Sequence, residues 1–132
     1  MQVVADSHAI VWYVQGSKRL SDHARTTLAG AEAERNLVVS VASLIDLWYV
    51  TQTTQAVTPA QLAGLRERLV SSEAVTLQPI TVAIADATTG IPRTLLADPW
   101  DRLIVATSLA LGIPLVTRDR SIQASGLVSA IW

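Results

Sequence analysis

Five aspartates that lie within or next to apolar segments are the residues of this chain best suited to chemistry. Asp6 directly follows the apolar residues 3–5, and Asp46 lies among large apolar residues in SLIDLWYV. Asp98 and Asp101 lie in ADPWDRLI, and Asp119 lies in PLVTRDRS. A carboxylate near apolar surroundings costs several kcal/mol unless it is paired or bound to a cation. The pattern therefore suggests that these carboxylates bind a shared cation.

Clustered carboxylates have a well-defined chemical use. Hard divalent cations such as Mg²⁺ prefer oxygen ligands, and a bound cation removes the repulsion between neighbouring acids. The cation can polarise a phosphoryl oxygen and activate a water molecule as the nucleophile. Three or four carboxylates at one edge of a sheet are what metal-assisted hydrolysis of a phosphodiester bond requires.

Most of these aspartates also have a purely structural interpretation. Asp6 could cap a following helix through backbone amides. Asp98 precedes Pro99, which suits the first helical position, and Asp101 adds negative charge that the helix dipole favours. Asp119 could be an ordinary turn residue. For each residue taken alone, the capping or turn role and the metal-binding role both remain open.

Asp46 has no capping interpretation. It lies in the middle of a segment that predicts a helix, and its neighbours are Leu44, Ile45, Leu47 and Trp48. The remaining structural alternative is a side chain that faces solvent. Asp46 is therefore harder to explain by a structural role than the other four aspartates.

Arginines accompany the acidic segments. An arginine can grip a phosphate through two parallel hydrogen bonds, and a basic collar around an acidic centre could hold a nucleic-acid backbone during hydrolysis. The alternative is that these arginines neutralise neighbouring aspartates. The candidates for holding the nucleic-acid backbone are Arg93, Arg102, Arg118 and Arg120.

The elements that position these residues alternate along the chain. Apolar, β-branched runs predict strands, and segments with capping residues, prolines and terminal glycines predict helices between them. Strands joined through helices form a parallel sheet, whose sites lie outside the carboxyl ends of the strands. Asp6 and residues 117–119 should therefore meet at one edge. Strands are predicted near residues 3–5, 37–41, 75–80, 115–116 and 128–131, and helices near 8–15, 21–35, 42–51, 58–70, 81–89, 98–112 and 120–125.

Composition sets the wider limits. The chain has 132 residues, half of them apolar, which predicts a single domain over residues 1–132 with a sizeable core. A net charge of −1 gives no bulk attraction to nucleic acid, so a binding site for it must be local. Cysteine is absent, and neither a signal peptide nor an apolar membrane span is evident. We expect a cytoplasmic protein that does not associate with membranes.

The motifs resemble those of a known family. VVADSHAIVWYV is similar to the opening motif of PIN-domain ribonucleases, and SVASLIDLWYV resembles their second motif. ADPWDRLIVATSLALGIPLVTRDRSI is very similar to the third and fourth motifs of VapC-type toxins, and the closing VSAIW resembles their C-terminus. The resemblance covers nearly the whole chain, and the DPxDRLI segment with TRD is its most specific part.

This resemblance implies a fold, an activity and partners. The fold would be α/β, a three-layer α/β/α sandwich with a short central parallel sheet. The activity would be that of a Mg²⁺- or Mn²⁺-dependent endoribonuclease that acts as the toxin of a toxin–antitoxin pair and inhibits translation by cutting structured RNA. The partners would be a small cognate antitoxin, whose C-terminal segment blocks the active site, and a second copy in a homodimer.

The resemblance also implies roles for individual residues. Asp6 and Asp101 match the principal metal ligands, Asp119 matches the fourth acid, and Thr117 matches the hydroxyl that orients the cluster. Asp98 competes with Asp101 for the third acidic position, and Asp101 is favoured because capping already explains Asp98.

Asp46 departs from the family pattern, because it stands where the family carries glutamate. Its side chain is one methylene shorter and reaches roughly an ångström less. A water molecule could fill the difference, or the activity could be weak.

Two other functions remain as alternatives. The first is a non-catalytic PIN-like domain that binds RNA or a partner protein, which the shortened Asp46 favours. The second is a phosphoacceptor signalling domain, which also clusters aspartates at the edge of a parallel sheet. The second fits poorly, because Ser7 replaces the expected acidic neighbour of Asp6 and Lys18 is the only lysine.

Overall fold

A parallel sheet of five short strands forms the centre of the molecule, and the computed structural model describes residues 1–132. The strands lie in the spatial order β3-β2-β1-β4-β5, and every neighbouring pair is parallel. The three central strands are buried along their whole length, as expected for strands covered on both faces. The strands are β1 (Val3–Ala5), β2 (Leu37–Ser40), β3 (Val75–Gln78), β4 (Leu115–Val116) and β5 (Ala130–Ile131).

Seven helices connect and cover the strands. Their ends follow from local sequence: Thr58 and Gln61 form a reciprocal capping box, and Gly112 ends a helix with a φ of 67°, a left-handed value that suits glycine. The helices are α1 (Ser7–Gln15), α2 (Asp22–Ala33), α3 (Val41–Thr53), α4 (Pro59–Ser71), α5 (Val82–Gly90), α6 (Pro99–Leu111) and α7 (Arg120–Ser125).

Two apolar cores lie on opposite faces of the sheet. Val3 and Ala5 face the core that includes residues of α1, α2 and α4, whereas Val4 faces the core built with α5, α6 and α7. This division follows from the alternation of side chains along a strand. The prediction of a three-layer α/β/α sandwich with a short parallel sheet is confirmed.

The strand register places the predicted site. Ala5 pairs with Val39 on one side and with Val116 on the other, so the central strands end at the same level. The chain runs from β1 outward through β2 to β3 and then returns to add β4 on the opposite side of β1. The junction of β1 and β4 is thus the point where the strand order reverses, and crevices form at such points.

The predicted elements are all present, with ends that differ by a few residues. The strand predicted over 37–41 ends at Ser40, because its hydroxyl accepts the Ala42 amide and begins α3. The strand predicted over 75–80 ends at Gln78, before Pro79 and the Thr81 cap of α5. None of the helices has the length and apolar character needed to cross a bilayer.

Candidate active site at the carboxyl edge of the sheet

A cavity of about 490 Å³ opens at the carboxyl ends of β1 and β4. Its walls come from the start of α1, from α3, from the start of α6 and from the segment after β4. The structure brings to this one cavity all the aspartates that the sequence singles out, which are Asp6, Asp46, Asp98, Asp101 and Asp119.

Asp6 is fixed by hydrogen bonds at both carboxylate oxygens. Oδ1 accepts the Ser7 amide at 2.7 Å, and Oδ2 accepts the Thr117 hydroxyl at 2.6 Å. Asp6 therefore caps α1 and also belongs to the acidic cavity, so its structural and functional interpretations are compatible. Burial raises the pKa of Asp6, and the hydrogen bonds from Thr117 and Ser7 act in the opposite direction.

Thr117 connects the ends of the two strands. Its buried hydroxyl donates to Asp6 Oδ2 at 2.6 Å and accepts the backbone amide of Asp119 at 3.0 Å. Asp119 in turn caps α7, because its Oδ1 accepts the Ile122 amide at 2.9 Å. One hydroxyl thereby connects Asp6 to the backbone of Asp119.

Asp98 and Asp101 occupy the first turn of α6 in different environments. Asp98 is exposed, and its Oδ1 accepts the amides of Trp100 at 2.9 Å and Asp101 at 3.0 Å, which is the capping role predicted for it. Asp101 is half-buried, and its pKa is raised to about 7, first by burial and then by the charges of the other acids in the cavity. Asp101 is therefore the carboxyl on which the repulsion within the cluster falls most heavily.

Asp46 projects from the middle of α3 and lines the cavity. It is half-buried, so the solvent-facing alternative is excluded. Burial raises the pKa of Asp46, the Ser7 hydroxyl opposes that shift, and the charge of Asp98 adds to it. The helix thus places a carboxylate without a capping role beside the other acids.

None of the five aspartates forms an ion pair with a basic side chain. The ion pairs of the molecule join Met1 to Glu34, Arg35 to Glu73 and Arg68 to Glu32, all outside the cavity. In the present side-chain arrangement no three acidic or histidine side chains converge as ligands of one ion. The aspartates nevertheless fit a hard divalent cation, because they offer only oxygen ligands and their mutual repulsion raises the pKa of Asp101.

Three arginines reach the cavity. Two of them, Arg118 and Arg120, are among the four proposed for RNA binding. The third, Arg19, comes from the loop after α1, and sequence patterns gave no sign of it because they do not reveal the direction of a loop. His8 also lines the cavity, and its position two residues after Asp6 at the start of a helix was a usable signal.

The other two proposed arginines lie elsewhere. Arg93 is exposed in the segment between α5 and α6 and does not line the cavity. The guanidinium of Arg102 donates to the carbonyl oxygens of Leu96 at 2.8 Å and Thr88 at 2.9 Å. In this arrangement backbone carbonyls occupy donors of Arg102 and it does not line the cavity, so its role in RNA binding stays a prediction.

Comparison with known proteins agrees with the fold and the motifs. Residues 3–125 match the family model described as PIN domain. The chain is 31% identical over 123 residues to the Mycobacterium tuberculosis protein named Ribonuclease VapC22, covering 92% of this chain and 90% of that protein. The chain therefore belongs to the PIN-domain family, with a relative of the VapC type.

Solved structures share the fold at lower sequence identity. VapBC2 from Rickettsia felis, bound to a DNA fragment from its promoter, superposes with a TM-score of 0.70 at 15% identity, over 98% of this chain and 97% of that one. DNA-bound VapBC from Salmonella typhimurium gives a TM-score of 0.69 at 17% identity, over 98% and 96% of the two chains. FitAcB from Neisseria gonorrhoeae gives 0.66 at 16% identity, over 98% and 96%.

Proposed function

We propose that this protein is a metal-dependent endoribonuclease that hydrolyses RNA phosphodiester bonds. The observation that carries the proposal is that five aspartates line one cavity and none of them forms an ion pair. An RNA substrate is supported by the name of the Mycobacterium tuberculosis relative, which is a ribonuclease. The cofactor would be Mg²⁺ or Mn²⁺, both of which favour carboxylate oxygen ligands.

The proposed division of labour follows from the contacts. Asp6, Asp101 and Asp119 would hold the cation, with Asp98 at the exposed rim as a further ligand. When bound, the cation supplies Lewis-acid polarisation of the phosphoryl oxygen and a more acidic water. Thr117 holds Asp6 in place through the 2.6 Å hydrogen bond from its hydroxyl.

Asp46 would orient the attacking water and accept its proton. It faces the cavity from α3, and no backbone amide occupies its carboxylate, unlike those of Asp6, Asp98 and Asp119. A carboxylate without a capping role keeps its acceptor capacity for such a proton.

Protein partners form part of the proposal. The solved structures of similar fold are described as VapBC complexes, which supports a small antitoxin as the partner of this chain. A homodimer is proposed as well, and the exposed side chains of Trp48 and Tyr49 on α3 are candidates for a protein interface. Co-expression with the product of a small reading frame beside the gene, followed by co-purification, tests the first partner; light scattering of the chain alone tests the second.

A second candidate function is a PIN-like domain that binds RNA or a partner without cleaving it. The observation that favours it is that no three carboxylates converge as ligands of one ion in this arrangement. The shorter side chain of Asp46, where the family carries glutamate, favours the same alternative.

RNA cleavage by the purified chain, free of antitoxin, separates the two candidates. Total RNA is incubated with Mg²⁺ or Mn²⁺, with EDTA, and with the Asp101→Asn variant. Asp86→Asn is a matched control, because Asp86 is an exposed aspartate of α5 outside the cavity. We expect cutting that requires the metal, is lost in Asp101→Asn and is kept in Asp86→Asn. RNA binding without cutting by the wild-type chain would support the binding module.

A further inference from the structure

Trp12 and Arg118 form a contact on the wall of the acidic cavity. The Cζ atom of Arg118 lies 5.6 Å from the centroid of the Trp12 ring, within the range of a cation–π interaction. The ring is held in turn by Trp132 at 6.0 Å, edge to face, and by His8 at 5.6 Å in a tilted arrangement. The indole is therefore a supported surface, and the guanidinium over it has a defined position.

Arg118 is a free cation beside a group of acids. It lines the same cavity as the five aspartates, yet it takes part in none of the ion pairs of the molecule. An unrestrained arginine in that field would be drawn onto the carboxylates. Attraction to the electron-rich face of Trp12 acts against that pull.

The donors of this guanidinium remain available to a ligand. Arg102 spends its terminal nitrogens on two backbone carbonyls, whereas the Arg118 side chain donates no hydrogen bond within the chain. A guanidinium that lies over an aromatic ring keeps the N–H groups at its edge free, and their fork matches two phosphate oxygens. Arg118 can therefore donate two parallel hydrogen bonds to a phosphate group while its guanidinium lies over Trp12.

We propose that Trp12 is a positioning residue that holds Arg118 against the cavity wall, where the guanidinium binds a backbone phosphate of the RNA next to the one that is cut. The inference rests on the proposed function, because it assumes that RNA enters the acidic cavity. RNA is a polyanion and is repelled by the five carboxylates of the cavity. Its binding there needs basic side chains that are not paired with those carboxylates.

Binding of a short, fluorescein-labelled oligouridine, measured by anisotropy in EDTA, tests the inference without cleavage. We expect Trp12→Leu and Arg118→Ala each to raise the Kd about threefold to tenfold. The Kd of the double variant should not exceed the larger of the two single-variant Kd values, because Trp12 affects RNA binding only through Arg118. Arg118→Ala should also reduce the slope of log Kd against log salt by about 0.7.

Arg120→Ala provides a matched control. Arg120 lines the same cavity but lies over no aromatic ring. Combined with Trp12→Leu, its effect on the Kd should multiply, because the two residues do not act together.

Trp12 also packs against an apolar core, so folding must be controlled. Circular dichroism and thermal melting of each variant exclude unfolding, and Trp12→Phe keeps the packing while weakening the cation–π contact. Trp12→Phe should give an intermediate Kd. In cleavage with Mn²⁺, Trp12→Leu should raise KM by the same factor as Kd and leave kcat within about twofold.

The outcomes separate the two proposals. A wild-type chain that binds the RNA but never cuts it would contradict the nuclease function, while the coupling between Trp12 and Arg118 would still decide the inference. Folded variants with the wild-type Kd, or effects of Trp12→Leu and Arg118→Ala that multiply, would overturn the inference. Unchanged RNA binding together with weakened binding of the co-expressed antitoxin would assign the pair to a protein carboxylate instead.

Discussion

At the scale of single residues, the acidic cavity combines capping with a concentration of charge. Asp6, Asp98 and Asp119 each accept a backbone amide at the start of a helix, which fixes the carboxylates at little cost. Asp101 has no such compensation and has a pKa of about 7. The helix starts thus hold three of the carboxylates in defined positions. A bound cation would reduce the repulsion among the acids.

The raised pKa of Asp101 predicts how the metal-free protein responds to pH. The folded-state pKa of about 7 exceeds the ordinary value of 3.8, so the folded protein retains this proton after the unfolded chain has lost it. The associated stability is present below the ordinary value and is lost as pH rises toward neutrality. The raised pKa values of Asp6 and Asp46 act in the same direction.

Thermal melting in EDTA across this pH range measures the effect. The Tm of the wild-type protein should fall between about pH 4 and pH 7, and Asp101→Asn should melt higher than wild type at pH 8 with a flatter profile. Equal pH profiles for the two proteins would contradict the assignment of the repulsion to Asp101.

Thr117 predicts a second effect at the residue scale. Thr117→Val removes the donor to Asp6 and the acceptor of the Asp119 amide, so we expect a loss of about 1–3 kcal/mol in the free energy of unfolding. Cleavage should fall as well, because Asp6 loses its restraint. Urea denaturation and RNA cleavage measure the two effects. Thr117→Ser, which keeps the hydroxyl, should retain most of both, and a Val variant as stable and active as wild type would contradict the role of the hydroxyl.

At the scale of elements, helix capping was the most dependable guide from the sequence. Thr58 with Pro59 and Asp98 with Pro99 began helices where their residue types predict. The strand ends were less accurate, because Ser40 looks β-compatible in sequence but its hydroxyl caps α3. Local hydrogen bonding of this kind competes with strand formation and is invisible to hydrophobic periodicity.

Arg102 lies away from the acidic cavity although Asp101 lines it. It lies next to Asp101 in sequence, but successive residues of a helix face different directions, and its guanidinium reaches the carbonyls of Thr88 and Leu96. Arg102→Met should therefore lower the free energy of unfolding by about 1–3 kcal/mol and leave the Kd for RNA unchanged. Urea denaturation and anisotropy measure the two effects. Weaker RNA binding at unchanged stability would restore Arg102 to the RNA-binding group.

At the scale of the whole molecule, alternation of strands and helices sufficed to predict a parallel sheet and the edge at which the five aspartates lie. Asp6 and Thr117 are far apart in sequence, yet they meet because β1 and β4 are neighbours. The same pattern could not reveal Arg19, whose position depends on the path of a loop, nor the contact of Trp12 with Arg118, which depends on packing between a helix and a strand end.

The central claim is that the cluster of aspartates holds a divalent cation, and calorimetric titration of Mn²⁺ into the metal-free protein at pH 8 tests it most directly. We expect saturable binding that Asp101→Asn abolishes and Asp86→Asn preserves. Binding should weaken at pH 5.5, because protons then compete for Asp101, whose pKa is about 7. Absence of binding by the folded wild-type chain, or binding that Asp101→Asn leaves intact, would contradict the account.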